Sequence, residues 1–327
     1  MKANLHLHSR YSDGSIWPEE IAREAAEQGL FLVALTDHDS MGGAIRFRSE
    51  CARLGIEAII ACEIDVSEPE IDYKSEILAY FPLARSPGDC PTTSALLARV
   101  LDDRRERLEY YLYWARTIFR RKDLGFSEIL ADRLAAEPYA LGGSADSAPS
   151  APSEPCDVEM LSWSKVDLFL FLKGRGVIDS TITYKRFKRE WFGPGRFPKY
   201  RMSKPSVADC VQAIHADSGF AVIPHFGHLW NDDPQAMGVQ AELVRSKLEH
   251  FRARGVDGLE MYWYSGRRKT EEINRIAAEA AQPLGYFLTY GSDCHGPGTD
   301  KYTLDKFSGE FLGFPGKKRE KTHDTEH

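Results

Sequence analysis

Ten histidines occur in the 327 residues, and five of them stand in short motifs with carboxylates that suit metal ligation. His6 and His8 are spaced i, i+2, so on an extended strand both imidazoles project from one face. Asp13 follows in the turn Ser12-Asp13-Gly14-Ser15, and His38 lies in Thr36-Asp37-His38-Asp39. Glu63 stands in Cys62-Glu63-Ile64-Asp65 and His225 in Ile223-Pro224-His225, while Asp293 and His295 repeat the i, i+2 spacing. Imidazole nitrogens and carboxylate oxygens bind zinc, manganese and iron. Carboxylates gathered in one cleft repel each other, and divalent cations remove that cost. So many donors exceed the needs of one ion and point to two or three, Mn, Fe or Zn. Such ions activate water for attack on phosphorus and steady the leaving oxygen. Each motif alone has a structural explanation: a strand alternation, a turn whose Asp caps a helix, a polar loop. Their joint placement is what argues for a site.

That placement depends on the elements around them. Residues 3–8 alternate in strand fashion, and Phe31 to Thr36 is an apolar run of the kind buried on both faces of a sheet. Further strands are expected over Glu57–Cys62, Phe220–His225, Val256–Tyr262 and Phe287–Tyr290. Helices are expected over Pro18–Gln28, Met41–Leu54, Ser206–Asp217, 239–254 and 269–281. This alternation predicts an α/β fold with a parallel sheet or barrel, in which residues at the carboxyl ends of strands converge on one mouth. The rhythm breaks after Pro82. Residues 92–122 read as one long charged helix, 142–157 as a low-complexity mobile loop, and 158–200 as helical and then basic. We therefore expect a barrel built from 1–83 and 201–314, a mostly helical insertion at 84–200, and a disordered tail at 315–327.

Composition bounds the function. A net charge of −7 argues against bulk nucleic-acid binding but leaves room for a local basic pocket. No run approaches the ~18 apolar residues of a membrane helix, and no secretory leader is evident. Six scattered cysteines without a CxxC pair fit reduced thiols in a cytoplasmic protein.

Together the segments Leu5-His6-Leu7-His8-Ser9, Ser12-Asp13-Gly14, Thr36-Asp37-His38-Asp39, Cys62-Glu63-Ile64-Asp65, Ile223-Pro224-His225 and Gly291-Ser292-Asp293-Cys294-His295-Gly296 resemble the PHP (polymerase and histidinol phosphatase) superfamily. The resemblance implies a distorted (β/α)7 barrel with a helical insertion and a trinuclear metal centre. His6, His8, Glu63 and Asp293 would hold one ion. Glu63 would bridge to a second shared with His225, and Asp13, His38 and His295 would hold a third. Asp39 would orient ligands or accept a proton, and is the candidate catalytic residue. The family has His where Glu76 opens Glu76-Ile77-Leu78-Ala79-Tyr80-Phe81; glutamate can still ligate, with a harder, anionic oxygen. Pro224-His225-Phe226 also departs from the family's Ala-His-Pro.

The layout of the insertion resembles the branch acting on nucleoside 3′,5′-bisphosphates and the 5′ ends of short oligonucleotides. In Arg104-Arg105-Glu106-Arg107-Leu108, Arg107 aligns best with that branch's phosphate-binding arginine, and Arg104 is a second candidate. The branch's histidine in the next insertion helix is replaced near Lys165. His228, three residues after His225, is a candidate phosphate contact. Trp17 and Tyr262-Trp263-Tyr264 are either base-stacking groups or barrel packing. The expectation is a metal-dependent phosphoesterase acting on a small phosphorylated substrate, with no membrane and no obligate protein partner. Histidinol-phosphate hydrolysis and DNA exonuclease action on the same centre are alternatives. A non-catalytic metal-binding regulatory module is an alternative of another class.

Overall fold

The computed structural model describes residues 1–135, 156–192 and 196–316. The loop expected at 142–157 lies outside the described residues but for its last two positions, as does the expected tail but for Pro315 and Gly316.

Eight strands form one sheet: β1 (Lys2–Leu7), β2 (Leu32–Leu35), β3 (Glu57–Asp65), β4 (Glu76–Phe81), β5 (Phe220–Ile223), β6 (Gly258–Tyr262), β7 (Phe287–Gly291) and the short β8 (Gly309–Glu310). Their order is β7-β6-β5-β4-β3-β2-β1-β8. The sheet nearly closes into a barrel. Just beyond β1 and β7, the His8 N–H donates to the Cys294 carbonyl at 2.9 Å and the Cys294 N–H to the His6 carbonyl at 3.3 Å. At its other end β1 pairs with β8.

Outer helices follow the strands: α1 (Pro18–Glu27), α2 (Ala44–Arg53), then α3 (Pro91–Phe119), α4 (Phe126–Ala135), α5 (Lys165–Gly174), α6 (Tyr184–Phe192), and α7 (Val207–Ala216), α8 (Pro234–Val239), α9 (Ala241–Ala253), α10 (Arg267–Ala281). Pro18 opens α1 at a position where its missing N–H costs nothing. The Ser206 hydroxyl caps α7 by accepting from the Asp209 N–H.

One strand departs from the parallel expectation. β4 runs antiparallel to both β3 and β5. Residues 66–75, which join β3 to β4, are too few for the crossover that a parallel neighbour needs. The inversion matters for the site. Glu76 begins β4 and pairs in register with Asp65, which ends β3. A reversed strand therefore delivers its first residue, not its last, to the same rim as the carboxyl ends of its neighbours.

Ala3, Leu5, Leu32, Ala34, Ile59, Ala61, Leu78, Tyr80 and Val222 pack with Phe311 and Phe314 in a cluster without helical residues, which fills the barrel interior. A larger cluster lies between the sheet and α3, α7, α9 and α10. A further one, with Leu108, Tyr111, Leu112, Trp163, Phe187 and Trp191, holds α3 to α6 together and takes in Tyr11 and Trp17 from the barrel. α3 belongs to both: Leu96, Leu97 and Val100 pack on the barrel, while Leu108 to Ala115 form the spine of the second cluster. Its 29 residues span about 44 Å.

Candidate metal centre

Strand ends bring the histidines and carboxylates to one rim. The His6 Nε2 lies 3.0 Å from the His8 Nε2. The Glu63 Oε2 is 3.3 Å from both and 3.2 Å from the His38 Nδ1, while its Oε1 is 3.2 Å from the His225 Nε2. The Asp293 Oδ1 is 3.1 Å from the His8 Nε2 and 3.3 Å from the His295 Nδ1. Asp13 reaches in from its turn, with Oδ1 3.1 Å from the His295 Nε2 and 3.8 Å from the His38 Nε2. Glu76 stands 3.7 Å from the His225 Nε2. All nine sequence candidates for metal ligation thus meet, in three groups whose donor atoms lie within 4.8 Å of one another: His8, Asp13, His38 and His295; His6, His8 and Asp293; and Glu63, Glu76 and His225.

The charge balance of these groups fits cations. Burial alone would lower His6, yet Glu260, Glu63 and Asp293 hold it well above its ordinary range. Burial is likewise overridden at His8, which Asp293 and Glu63 push up to about 9. Asp13, Glu63 and Asp293 resist burial and stay well below the carboxylate range because imidazoles, and at Asp293 first Lys301, face them. Burial takes His38 down to about 4 and also lowers His225. Burial, with Glu63 and Asp65 beside it, raises Glu76 to about 8. Three buried atoms here, Asp13 Oδ1, His38 Nδ1 and Asp293 Oδ1, have no hydrogen-bond partner. A buried acceptor left so costs about 1–3 kcal/mol, and three in one cleft are accounted for when a divalent cation takes their lone pairs. The donor set and its unsatisfied atoms therefore fit metal ions.

Supporting contacts fix the ligands. Glu260, which the sequence reading passed over, accepts from His6 Nδ1–H at 2.8 Å with one oxygen and from the His225 N–H at 2.8 Å with the other. Its signal was a lone acid inside the apolar strand Leu259-Glu260-Met261. Asp37 accepts from the Ser9 N–H, the Ser9 hydroxyl and the Ser12 hydroxyl, shaping the turn that carries Asp13. The Lys301 ammonium and the Tyr262 hydroxyl both contact Asp293 Oδ2, on the side away from the histidines.

Asp39 and Arg104 are both engaged within the protein, which narrows one expectation and corrects another. The fully buried Asp39 accepts from the Asp65 N–H at 2.8 Å and from the Arg104 Nε at 2.5 Å. Each oxygen is engaged by a protein donor, which suits the orienting role of the two expected for it. Burial raises it to about 6, against the pull of Arg104. Arg104 is itself buried, pairing with Asp39, with Asp65 at 3.1 Å and with the Trp163 carbonyl. It is a strut, not a substrate contact.

Arg107 differs. It donates to the Trp163 carbonyl at 3.1 Å and touches Met202, and no carboxylate lies within ion-pair distance among the described residues. Burial lowers it, and Arg104 adds to the effect. Lys165 is close by: burial lowers it, and Arg107, Lys188 and Lys204 push it further down. Lys204 pairs with Asp65 at 3.1 Å, at the end of β3 where Glu76 is its register partner. Tyr184 completes the approach; burial raises its phenol and the Asp13 charge adds to the push. Lys165, Lys188 and Lys204 could not be told from a solvated surface by sequence. His228 stacks on His225 at 4.6 Å and bonds Asp232 at 2.6 Å. Trp17 is buried between the Arg10 and Arg46 guanidiniums, and Tyr262 and Tyr264 are buried around His228; all three pack within the protein.

Comparison with known proteins finds similarity over most of the chain. Residues 4–124 match the family model described as PHP domain. The chain is 28% identical over 295 residues to a 3′,5′-nucleoside bisphosphate phosphatase of Chromobacterium violaceum, covering 90% of this chain and 87% of that one. A shorter stretch of 66 residues is 46% identical to an error-prone DNA polymerase of Mycobacterium bovis, of which it spans only 6%. Among solved structures, the fold is shared with a protein of Bifidobacterium adolescentis described as a metal-dependent phosphoesterase (TM-score 0.64, 20% identity, 91% of this chain and 89% of that one). It is also shared with a protein of C. violaceum described as an amidohydrolase (TM-score 0.60, 24% identity, 95% and 92%).

Proposed function

We propose that the chain is a metal-dependent phosphoesterase of PHP type that removes a phosphate from a substrate carrying a second phosphate, a nucleoside 3′,5′-bisphosphate or the 5′ end of a short oligonucleotide. The observation that carries this reading is Arg107, which shares the Trp163 carbonyl with Arg104 and has no carboxylate at ion-pair distance among the described residues, with Lys165 next to it. One phosphate at the ligands and another on these cations satisfies both.

The metal ions would be held by His8, Asp13, His38 and His295; by His6, His8 and Asp293; and by Glu63, Glu76 and His225. When bound, two or three Mn, Fe or Zn ions supply acidity to a water and neutralise the phosphoryl oxygens. The protein does the rest by positioning. Glu260 fixes the His6 ring and the His225 backbone, Asp37 holds the Asp13 turn, and Asp39 ties His38 to β3. The Arg107 fork suits two oxygens of the remote phosphate, and Lys165 and Lys188 add charge without fixed geometry. His228, oriented through Asp232 and stacked on His225, would donate to a phosphate oxygen. Burial of the ligands excludes bulk water, which strengthens each of these charges. The six free thiols support a cytoplasmic location; no described helix is long and apolar enough to cross a membrane.

The test is release of inorganic phosphate from a nucleoside 3′,5′-bisphosphate, histidinol phosphate and labelled oligonucleotides, each with Mn, Fe or Zn. The bisphosphate should be turned over fastest, and Arg107→Ala should raise its KM about 10- to 100-fold, the worth of a charged hydrogen-bonding pair, while sparing a monophosphate. Equal rates on bisphosphate and monophosphate, unaffected by R107A, would rule out the second-phosphate reading.

A further inference from the structure

Arg133 on α4 lies far from the metal ligands in sequence, yet it directs two of its three guanidinium nitrogens to the turn that carries one of them. Its Nε and Nη2 donate to the Arg10 carbonyl at 3.2 and 2.8 Å, and Nη2 also reaches the Ser12 carbonyl, next to Asp13. Nη1 donates to the Ser162 carbonyl at 3.2 Å and pairs with Asp167 at 2.9 Å. The guanidinium lies on the buried Trp163 ring, 4.6 Å from its centroid. Only 8% of Arg133 is exposed, so these contacts are its environment. From the same segment, the Ser162 N–H donates to the Tyr11 carbonyl at 2.8 Å.

Asp13 needs such help. Its carboxylate meets His295 and His38, which belong to the cluster, and among the described residues it accepts from no donor outside the cluster. Its place is therefore set by its backbone. The inner side of the turn is held by Asp37 through Ser9 and Ser12, and by Ser15 N–H on the His295 carbonyl at 2.8 Å. The outer carbonyls, at Arg10 and Ser12, are held by Arg133 alone among the described side chains, apart from what Arg10 itself contributes. A single residue thus clamps two carbonyls that lead into a ligand, with Asp167 balancing its charge.

We propose that Arg133 is a positioning residue for metal binding: it fixes the turn so that Asp13 joins His8, His38 and His295, which makes the helical insertion part of the metal-binding apparatus. This rests on the metal-centre reading above. Groups behind a ligand commonly set affinity by about 10- to 100-fold.

Metal-free protein titrated with Mn2+ alone, by calorimetry, tests this. Asp13→Ala identifies the Asp13-dependent site as the one it weakens. Arg133→Ala should weaken that same site about 10- to 100-fold, leave the other sites as in wild type, and lower kcat more than it raises KM. Arg133→Lys, which keeps the charge but cannot donate to all these carbonyls at once, should weaken the site by less and retain the wild-type fold; it carries the test if Arg133→Ala does not fold. Arg175→Ala, removing a surface pair with Asp132, should titrate as wild type. A folded Arg133 variant with wild-type Mn2+ affinities, or one that loses all sites equally, overturns the proposal alone. Wild-type protein that takes up no Mn2+ overturns the metal-centre reading and this proposal with it.

Discussion

At the residue scale, what distinguishes this site is how much of its chemistry is delegated to groups that touch no substrate. Glu260 is the clearest. Glu260→Gln preserves shape but loses the charge that orients His6, so Mn2+ affinity should drop about 10- to 100-fold with little change in melting temperature; a titration against wild type checks it. Glu76 gives a second prediction. Glu76→Ala should weaken metal at the Glu63 and His225 group, whereas Glu76→His should keep metal and activity but shift preference among Mn, Fe and Zn. Loss of metal in both, or in neither, removes Glu76 from the ligand set. The candidate ligand histidines and carboxylates, which the fold gathers at one rim, were legible because their spacing marks them against an otherwise histidine-poor chain. The roles of Arg104 and Arg107 were not separable by motif. Yet Leu97, Leu101, Arg104, Leu108, Tyr111 and Ala115 follow one helical stripe, and a charge lying on an apolar stripe is more readily a buried strut than a substrate contact.

At the element scale, the helices that seat the site carry their own titration. Glu24 on α1 is pushed by burial from its ordinary 4.5 to about 7, against a hydrogen bond from Tyr302. The folded chain therefore keeps a proton that the unfolded chain has released, and this contribution to stability is present below about pH 4.5 and lost as pH rises through 7. Glu24→Gln should be more stable than wild type at pH 8 by on the order of 1 kcal/mol, discounted because the group is only half-buried, with the difference vanishing near pH 4. Denaturant titrations at the two pH values measure it. Trp163, fully buried among α3 to α6, predicts a loss of about 3–5 kcal/mol in Trp163→Ala. Strand and helix positions were legible within a few residues because the apolar periods are strong. The direction of β4 was not, since alternation reads the same either way along a strand. The length of the β3–β4 connection was the clue.

At the scale of the whole molecule, metal and fold should be linked. Ions that bind only the folded chain stabilise it by about 2.7 kcal/mol at a concentration 100 times Kd. Chelation should therefore lower the melting temperature and abolish activity together, and Mn2+ should restore both; a melting curve indifferent to chelator would contradict the link. The two-cluster membership of α3 has a consequence for anyone wishing to exchange specificities between relatives. Because one unbroken helix serves as barrel wall at its start and as insertion spine further on, the visible loops at the edges of the insertion are the wrong seams. A chimaera would have to be spliced inside α3, between Leu101 and Leu108, with Arg104 retained from the recipient barrel and Arg107 arriving with the graft.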